Sequence, residues 1–152
     1  MRPLLLILLW LLPSVARAND DLITIQSAHS APVTVQRLQE ALTATGWTVL
    51  ATIDHAAAAL ADGRAMKIPA RTTIIYAWMG GWTAYLIEKP TMALDGPNRL
   101  LVWEDHEGVW VTRSTLQYFL RHVIRRHEAK GFGLRDKALD DSLATLIDNA
   151  TR

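Results

Sequence analysis

The hydrophobic spacing of this chain changes period several times, and that alternation constrains the fold more than any other feature. Leu22-Ile23-Thr24-Ile25-Gln26-Ser27 is short and β-branched, a strand by composition. From Ala31 to Thr45 the period becomes helical: Val35, Leu38 and Leu42 line one side, Gln36, Arg37, Gln39 and Glu40 the other. Pro32 suits the first turn of this helix, and Gly46 suits the C′ position that stops it. Trp47 to Ile53 returns to period two, which predicts a second strand with Trp47, Val49, Ala51 and Ile53 on one face. Asp54 then caps a short alanine-rich helix, His55 to Ala61, whose end is marked by Gly63. Thr72 to Met79 is nearly all apolar and predicts a central strand covered on both faces.

Gly80-Gly81 breaks that strand, and Thr83 to Lys89 predicts a helical turn or two before Pro90. Leu94-Asp95-Gly96-Pro97 turns the chain again. Leu100–Glu104 and Val109–Thr112 form a hairpin around Asp105-His106-Glu107-Gly108. Ser114 or Thr115 caps a helix whose apolar stripe is Leu116, Phe119, Leu120, Val123 and Ile124, with Gly131 ending it. A last helix from Asp136 to about Ala150 buries Leu139, Leu143, Leu146 and Ile147. The order β-α-β-α-β-(α)-β-β-α-α reads as an α+β layer, with helices packed on a mainly antiparallel sheet of about five strands.

The start of the chain carries a different signal. Met1-Arg2 is basic, Pro3–Leu12 is an apolar run, and a Pro13-Ser14 break leads into the small-x-small pattern Ala16-Arg17-Ala18. The run is about half the ~20 residues that a membrane-crossing helix needs. The reading is a cleaved signal peptide over 1–18 and one domain over 19–152, periplasmic or secreted, with no stable membrane anchoring after cleavage. Within that domain the core spans 22–127 and a C-terminal helical extension 128–152. Removing the leader takes away Arg2 and Arg17 and no acid, so sixteen cations against fifteen acids become fourteen against fifteen. Such a balance offers no basic footprint for nucleic acid. Cysteine is absent, which excludes disulfides, thiol redox chemistry, covalent haem attachment and cysteine-ligated metals together.

A spaced series of residues resembles one family. It runs through Gly46-Trp47-Thr48-Val49-Leu50, Ile53-Asp54-His55-Ala56-Ala57-Ala58, Gly63 and Pro69. It continues through Pro90-Thr91-Met92-Ala93-Leu94-Asp95, Pro97, Arg99-Leu100-Leu101-Val102-Trp103-Glu104-Asp105 and Gly108. The series resembles the bacterial and archaeal domain of unknown function 302. The resemblance implies an α+β fold of the TATA-binding-protein-like kind and brings no agreed function with it. The family usually ends its central strand with Phe-Gly-Asn-Pro. Here Ala77-Trp78-Met79-Gly80-Gly81 stands at that turn, with an amide side chain lost and bulk and sulfur gained.

Several residues invite a chemical reading. Asp54 between strand and helix is a cap, and His55 in the first turn is held neutral by the positive end of the helix dipole. A neutral imidazole accepts a proton, binds a metal or simply hydrogen-bonds. Glu104-Asp105-His106-Glu107 is rich in ligand types but falls at a solvated hairpin tip without the oxygen spacing of a calcium loop. His122 and His127 lie five apart on a helix and point to different faces; with Arg121, Arg125 and Arg126 they read as a basic, solvated strip. Met79-Gly80-Gly81-Trp82-Thr83 offers backbone amides at a strand–helix junction, yet no nucleotide-binding glycine pattern is present. Trp78, Trp82, Trp103 and Trp110 fill the core or line a pocket, with Met79 and Met92 as adaptable wall.

The leading expectation is a non-catalytic exported binding or accessory domain for a small ligand or metal. Its site wall would be Asp54, His55, Met79, Trp82 and Glu104, and no cofactor is implied. The alternative is a small hydrolase or isomerase with His55 as general base, oriented by Asp54 or Glu104. A third reading is a protein–protein adaptor using the strand near Leu22 and the basic helix face, with a homodimer through a sheet edge as its mildest form.

Overall fold

The computed structural model describes residues 21–63, 68–130 and 134–152. The leader over 1–18 and the helix stop at Gly131 lie outside those residues. Five strands, β1 (Leu22–Ser27), β2 (Thr48–Asp54), β3 (Arg71–Ala77), β4 (Asn98–Asp105) and β5 (Gly108–Ser114), form one antiparallel sheet in the order β1-β5-β4-β3-β2. The α+β expectation therefore holds, and β1 and β2 are the two edges.

Helix α1 (Ala31–Ala44) and helix α5 (Leu134–Thr151) lie together on one face of the sheet. The reason is the period-two pattern of β4 and β5. Leu100 and Val102 alternate inward opposite Arg113 and Val111, and Ile74 joins them from β3. Leu38 and Leu42 from α1, and Leu143, Leu146, Ile147 and Ala150 from α5, close this layer into the main core. Arg37 fastens the two helices by donating to the carbonyls of Ala150 (2.9 Å) and Asn149 (3.2 Å) at the negative end of α5. Gly46, at φ +86°, takes the left-handed position that ends α1, and Trp47 N–H reaches back to the Leu42 carbonyl at 3.0 Å.

Two strand expectations need correction. The register of β2 shifts between Val49 and Ala51, so the strand carries one extra residue there. Trp47 is buried and Val49 packs against the main core, whereas Ala51 and Ile53 come out exposed. A single unbroken period cannot survive a bulge, because one inserted residue reverses every later side chain. Central strand β3 is likewise covered on one face only. Ile74 and Tyr76 are buried inward, while Thr73 and Ile75 remain half-exposed on the other face.

On that other face the short helix α2 (His55–Ala61) packs against β3, and the sheet's own side chains line the part over β4 and β5. Trp103 and Trp110 pair directly across β4 and β5 and stack with ring centroids 6.0 Å apart. Trp103 Nε1–H donates to Thr112 Oγ1 (2.9 Å), and Thr112 in turn bonds Thr24 (2.9 Å).

A second, smaller core lies beyond the end of β3. Helix α3 (Met79–Glu88) starts ahead of the glycine pair rather than after it, and a 3₁₀ turn follows over Pro90–Leu94. After the cis Gly96–Pro97 bond, the chain enters β4. Helix α4 (Leu116–Phe119), capped by Thr115 Oγ1 on the Tyr118 N–H (3.1 Å), widens into a π turn over Leu120–Ile124. The single long helix expected from Leu116 is thus only one α-turn before its geometry changes. Met92, Val123 and Ile124 form the buried centre, with Trp82, Tyr85, Leu86, Phe119 and Leu120 around it.

Candidate functional site

The two cores do not close on each other. Between them, at the end of the sheet where β3 finishes and β4 begins, lies a cavity of about 250 Å³. Trp47, Tyr76 and Leu143 face it from the main core; Trp82, Tyr85, Phe119 and Val123 face it from the smaller one. Trp78 bridges the two sides, and Trp47 meets Tyr76 edge-on with centroids 5.4 Å apart.

Local sequence explains how these rings come together. Trp78 and Trp82 lie four apart across the start of α3, and the Trp82 N–H bonds the Trp78 carbonyl at 3.0 Å, so both indoles project from one helical turn. Gly96 lets the far edge of the Trp82 ring come close to the backbone: a Cβ there would stand 2.1 Å from it. Gly81 does the same for Trp78, where a Cβ would stand 2.9 Å from the ring.

The polar part of the cavity is a buried ion pair. Arg113 continues the inward phase of Val109 and Val111, so its guanidinium enters the apolar layer and is only 7% exposed. Its Nη1 forms a salt bridge with Asp140 of α5 and donates to the Ser114 carbonyl at 3.3 Å. Its Nε–H, also buried, has no hydrogen-bond partner among the described residues. Tyr76 lies near both charges; burial, the largest influence, pushes its phenol well above the ordinary range, so it stays protonated.

A second polar cluster stands on the opposite wall. Asp95 accepts from His127 Nε2 (2.7 Å) and from Arg126 Nη1 (2.9 Å), while His127 Nδ1 meets Thr91 Oγ1 at 2.9 Å. The His127 contact, helped by Arg126, holds the Asp95 carboxyl below the usual range. His127 is therefore buried and committed, not part of a solvated strip. Arg121 pairs with Asp21, and His122 stacks on Tyr118.

Of the five wall residues expected from the sequence, the structure brings only Trp82 to this cavity. Met79 is exposed at the start of α3 and does not line it. Asp54, His55 and Glu104 sit at the other end of the sheet, where Asp54 pairs with Thr72 and Glu104 with Val109. Thr72 and Tyr76 are four strand residues apart, roughly 13 Å. Asp54 Oδ1 accepts from the Ala57 N–H (2.9 Å), the capping role expected of it. His55 Nε2 pairs with Thr73 Oγ1 at 2.8 Å. Asp105 accepts from the Glu107 and Gly108 N–H groups and from Trp110 Nε1, the last chiefly lowering its pKa. Among the described residues, no group of three or more histidine or acidic side chains comes together to hold a metal.

Sequence reasoning passed over Arg113 and Asp140. A signal existed: Val109, Val111 and Arg113 share one phase, and a guanidinium in a buried phase is rarely placed there without a partner.

Comparison with known proteins agrees with this architecture. Two curated relatives are Fluoride-specific ion channel FluC 1 of Brucella suis biovar 1 (strain 1330) and Fluoride-specific ion channel FluC 1 of Brucella abortus biovar 1 (strain 9-941). Each is 33% identical over 101 residues, which is 66% of this chain and 39% and 37% of the respective relative. The chain thus spans less than two-fifths of the length of the curated relatives it matches. A crystal structure of the uncharacterized conserved protein DUF302 from Bacillus stearothermophilus superposes with a TM-score of 0.66 at 16% identity. That likeness, over 86% of this chain and 98% of the other, is one of fold. The family model described as domain of unknown function DUF302 matches residues 23–150, and the chain belongs to that family.

Proposed function

We propose that this chain is an exported, non-catalytic accessory domain that holds a small organic ligand in the cavity between the two cores. The observation that supports it best is the cavity itself. Small-ligand sites are concave clefts lined mainly by apolar and aromatic side chains with a few placed polar groups. A space of about 250 Å³, walled by indole and phenol rings and edged by a buried ion pair, has the anatomy of a ligand site. The described residues favour an organic ligand over a metal, since their histidines and acids are dispersed among caps, turns and ion pairs.

The accessory role draws support from the curated relatives. Those proteins are named as fluoride channels, yet the matching segment is a minor share of their length. No helix among the described residues of this chain is long and apolar enough to cross a membrane. The small share of their length that matches supports reading this segment as an accessory domain. Export rests on the leader pattern over 1–18.

Native mass spectrometry of the protein purified from its own cells tests both parts. The expected result is a polypeptide mass beginning at Asn19, with a non-covalent small molecule at one copy per chain that the Trp82→Ala variant loses. A chain that starts at Met1, holds no small molecule, and has a melting temperature unmoved by a metabolite screen would overturn the reading.

A further inference from the structure

The chemistry around Arg113 narrows the ligand. We infer that the cavity takes a small aromatic carboxylate, its acid group toward the Arg113 guanidinium that lines the wall and its ring among the indoles. This inference rests on the cavity being a ligand site.

Three observations combine. First, Arg113 is 93% buried by the complement of its 7% exposure, and Asp140 occupies only its Nη1. Among the described residues the buried Nε–H has no acceptor, so the guanidinium's hydrogen bonding is incomplete. A buried donor on a charged group is costly when unmet, and a carboxylate is the acceptor whose planar geometry best fits a guanidinium edge. Second, the nearby charges do not oppose an anion. Asp140 is balanced by Arg113 and Asp95 by Arg126 and His127, while Arg99 adds a further guanidinium to the cavity lining. The protonated Tyr76 phenol brings no negative charge of its own.

Third, the volume and the walls select a ring. A cavity of ~150 Å³ is enough to hold benzene, so about 250 Å³ leaves room for a ring with a short acid side chain. Trp78, Trp82 and Phe119 provide flat faces and edges for offset or edge-on contact. An alkyl chain would fill the same space without using that geometry.

The test uses the full domain from Asn19 and three probes of similar size: phenylacetate, its neutral amide phenylacetamide, and the cation phenethylammonium. Tryptophan fluorescence excited at a wavelength the probes do not absorb reports binding, because Trp47, Trp78 and Trp82 line the cavity. Phenylacetate is expected to bind at least tenfold more tightly than the other two. Arg113→Lys should reduce that preference severalfold. The double change Arg113→Gln with Asp140→Asn, which leaves no lone buried charge, should abolish it. Equal binding of phenylacetate and phenylacetamide, or tighter binding of the cation, would overturn the anionic assignment while leaving the cavity as a site. Response to none of the three, with the amide also silent, would overturn the ligand-site reading together with it.

Discussion

The two ends of the sheet use polar residues on opposite terms. At the end holding Asp54, His55 and the Asp105–Gly108 turn, the conspicuous side chains are solvated and satisfied nearby: a cap, a threonine contact, a turn acceptor. At the other end, Arg113 is carried into the apolar layer and left, among the described residues, with an unmet N–H beside an open cavity. The contrast teaches that residue types suggestive of chemistry mark chain geometry here. The candidate site is assembled from residues that each look structural on their own.

The sharpest way to break the contrast is to strand one partner of the buried pair. Asp140→Ala leaves the buried Arg113 guanidinium without its carboxylate, and urea unfolding should show a loss of about 3–5 kcal/mol. Replacing both by apolar residues, Arg113→Met with Asp140→Leu, should recover most of it. If the single change costs no more than a surface substitution, the two ends do not differ as described.

Crowding the cavity comes next. Gly96→Ala forces the Trp82 ring away from the backbone, since a Cβ would meet it at 2.1 Å. Calorimetry should show a loss of about 1–3 kcal/mol, with ligand binding weakened as the indole moves. At the opposite end, Asp54→Ala removes a helix cap and should cost about 1 kcal/mol, leaving binding unchanged. His55→Ala, which deletes one exposed hydrogen bond, should cost under about 1.5 kcal/mol and spare binding as well. A binding defect in His55→Ala with normal melting would shift the site to that end.

The smallest effect concerns acid. The Asp95 carboxyl is lowered chiefly by His127, and the Asp105 carboxyl chiefly by the Trp110 indole. For a lowered carboxyl, the stabilisation is fully present above its ordinary pKa of about 3.9 and is lost as pH falls through the lowered value. Asp95→Asn and Asp105→Asn should therefore each flatten the acid limb of a stability-against-pH curve. Only the Asp95 change should also alter binding, because Asp95 alone of the two lines the cavity.

Much of the fold was legible from the chain. The order of strands and helices, the Asp54 and Thr115 caps, the Gly46 stop and the tight hairpin all arise from short-range rules. These rules concern neighbours within a turn or two, so the sequence displays them directly. The β2 bulge escaped because Leu50 is as apolar as its neighbours and nothing local marks it as the extra residue. The π turn escaped for a similar reason: its apolar stripe suits an α-helix equally well.

The site was the least legible part. Trp82 lines the cavity, whereas the other expected wall residues share only a chemical type, and chemical type does not say which end of a sheet a residue occupies. Arg113 and Asp140 are twenty-seven positions apart, on a strand and a helix, and only packing α5 over β5 makes them partners. By itself, the amino-acid order determined the elements, their caps and the family to which the chain belongs, because those depend on local periodicity and spacing. The tertiary structure alone decided that two cores would stop short of each other around a buried guanidinium, because that gap belongs to the packing of distant elements and to no segment of the chain.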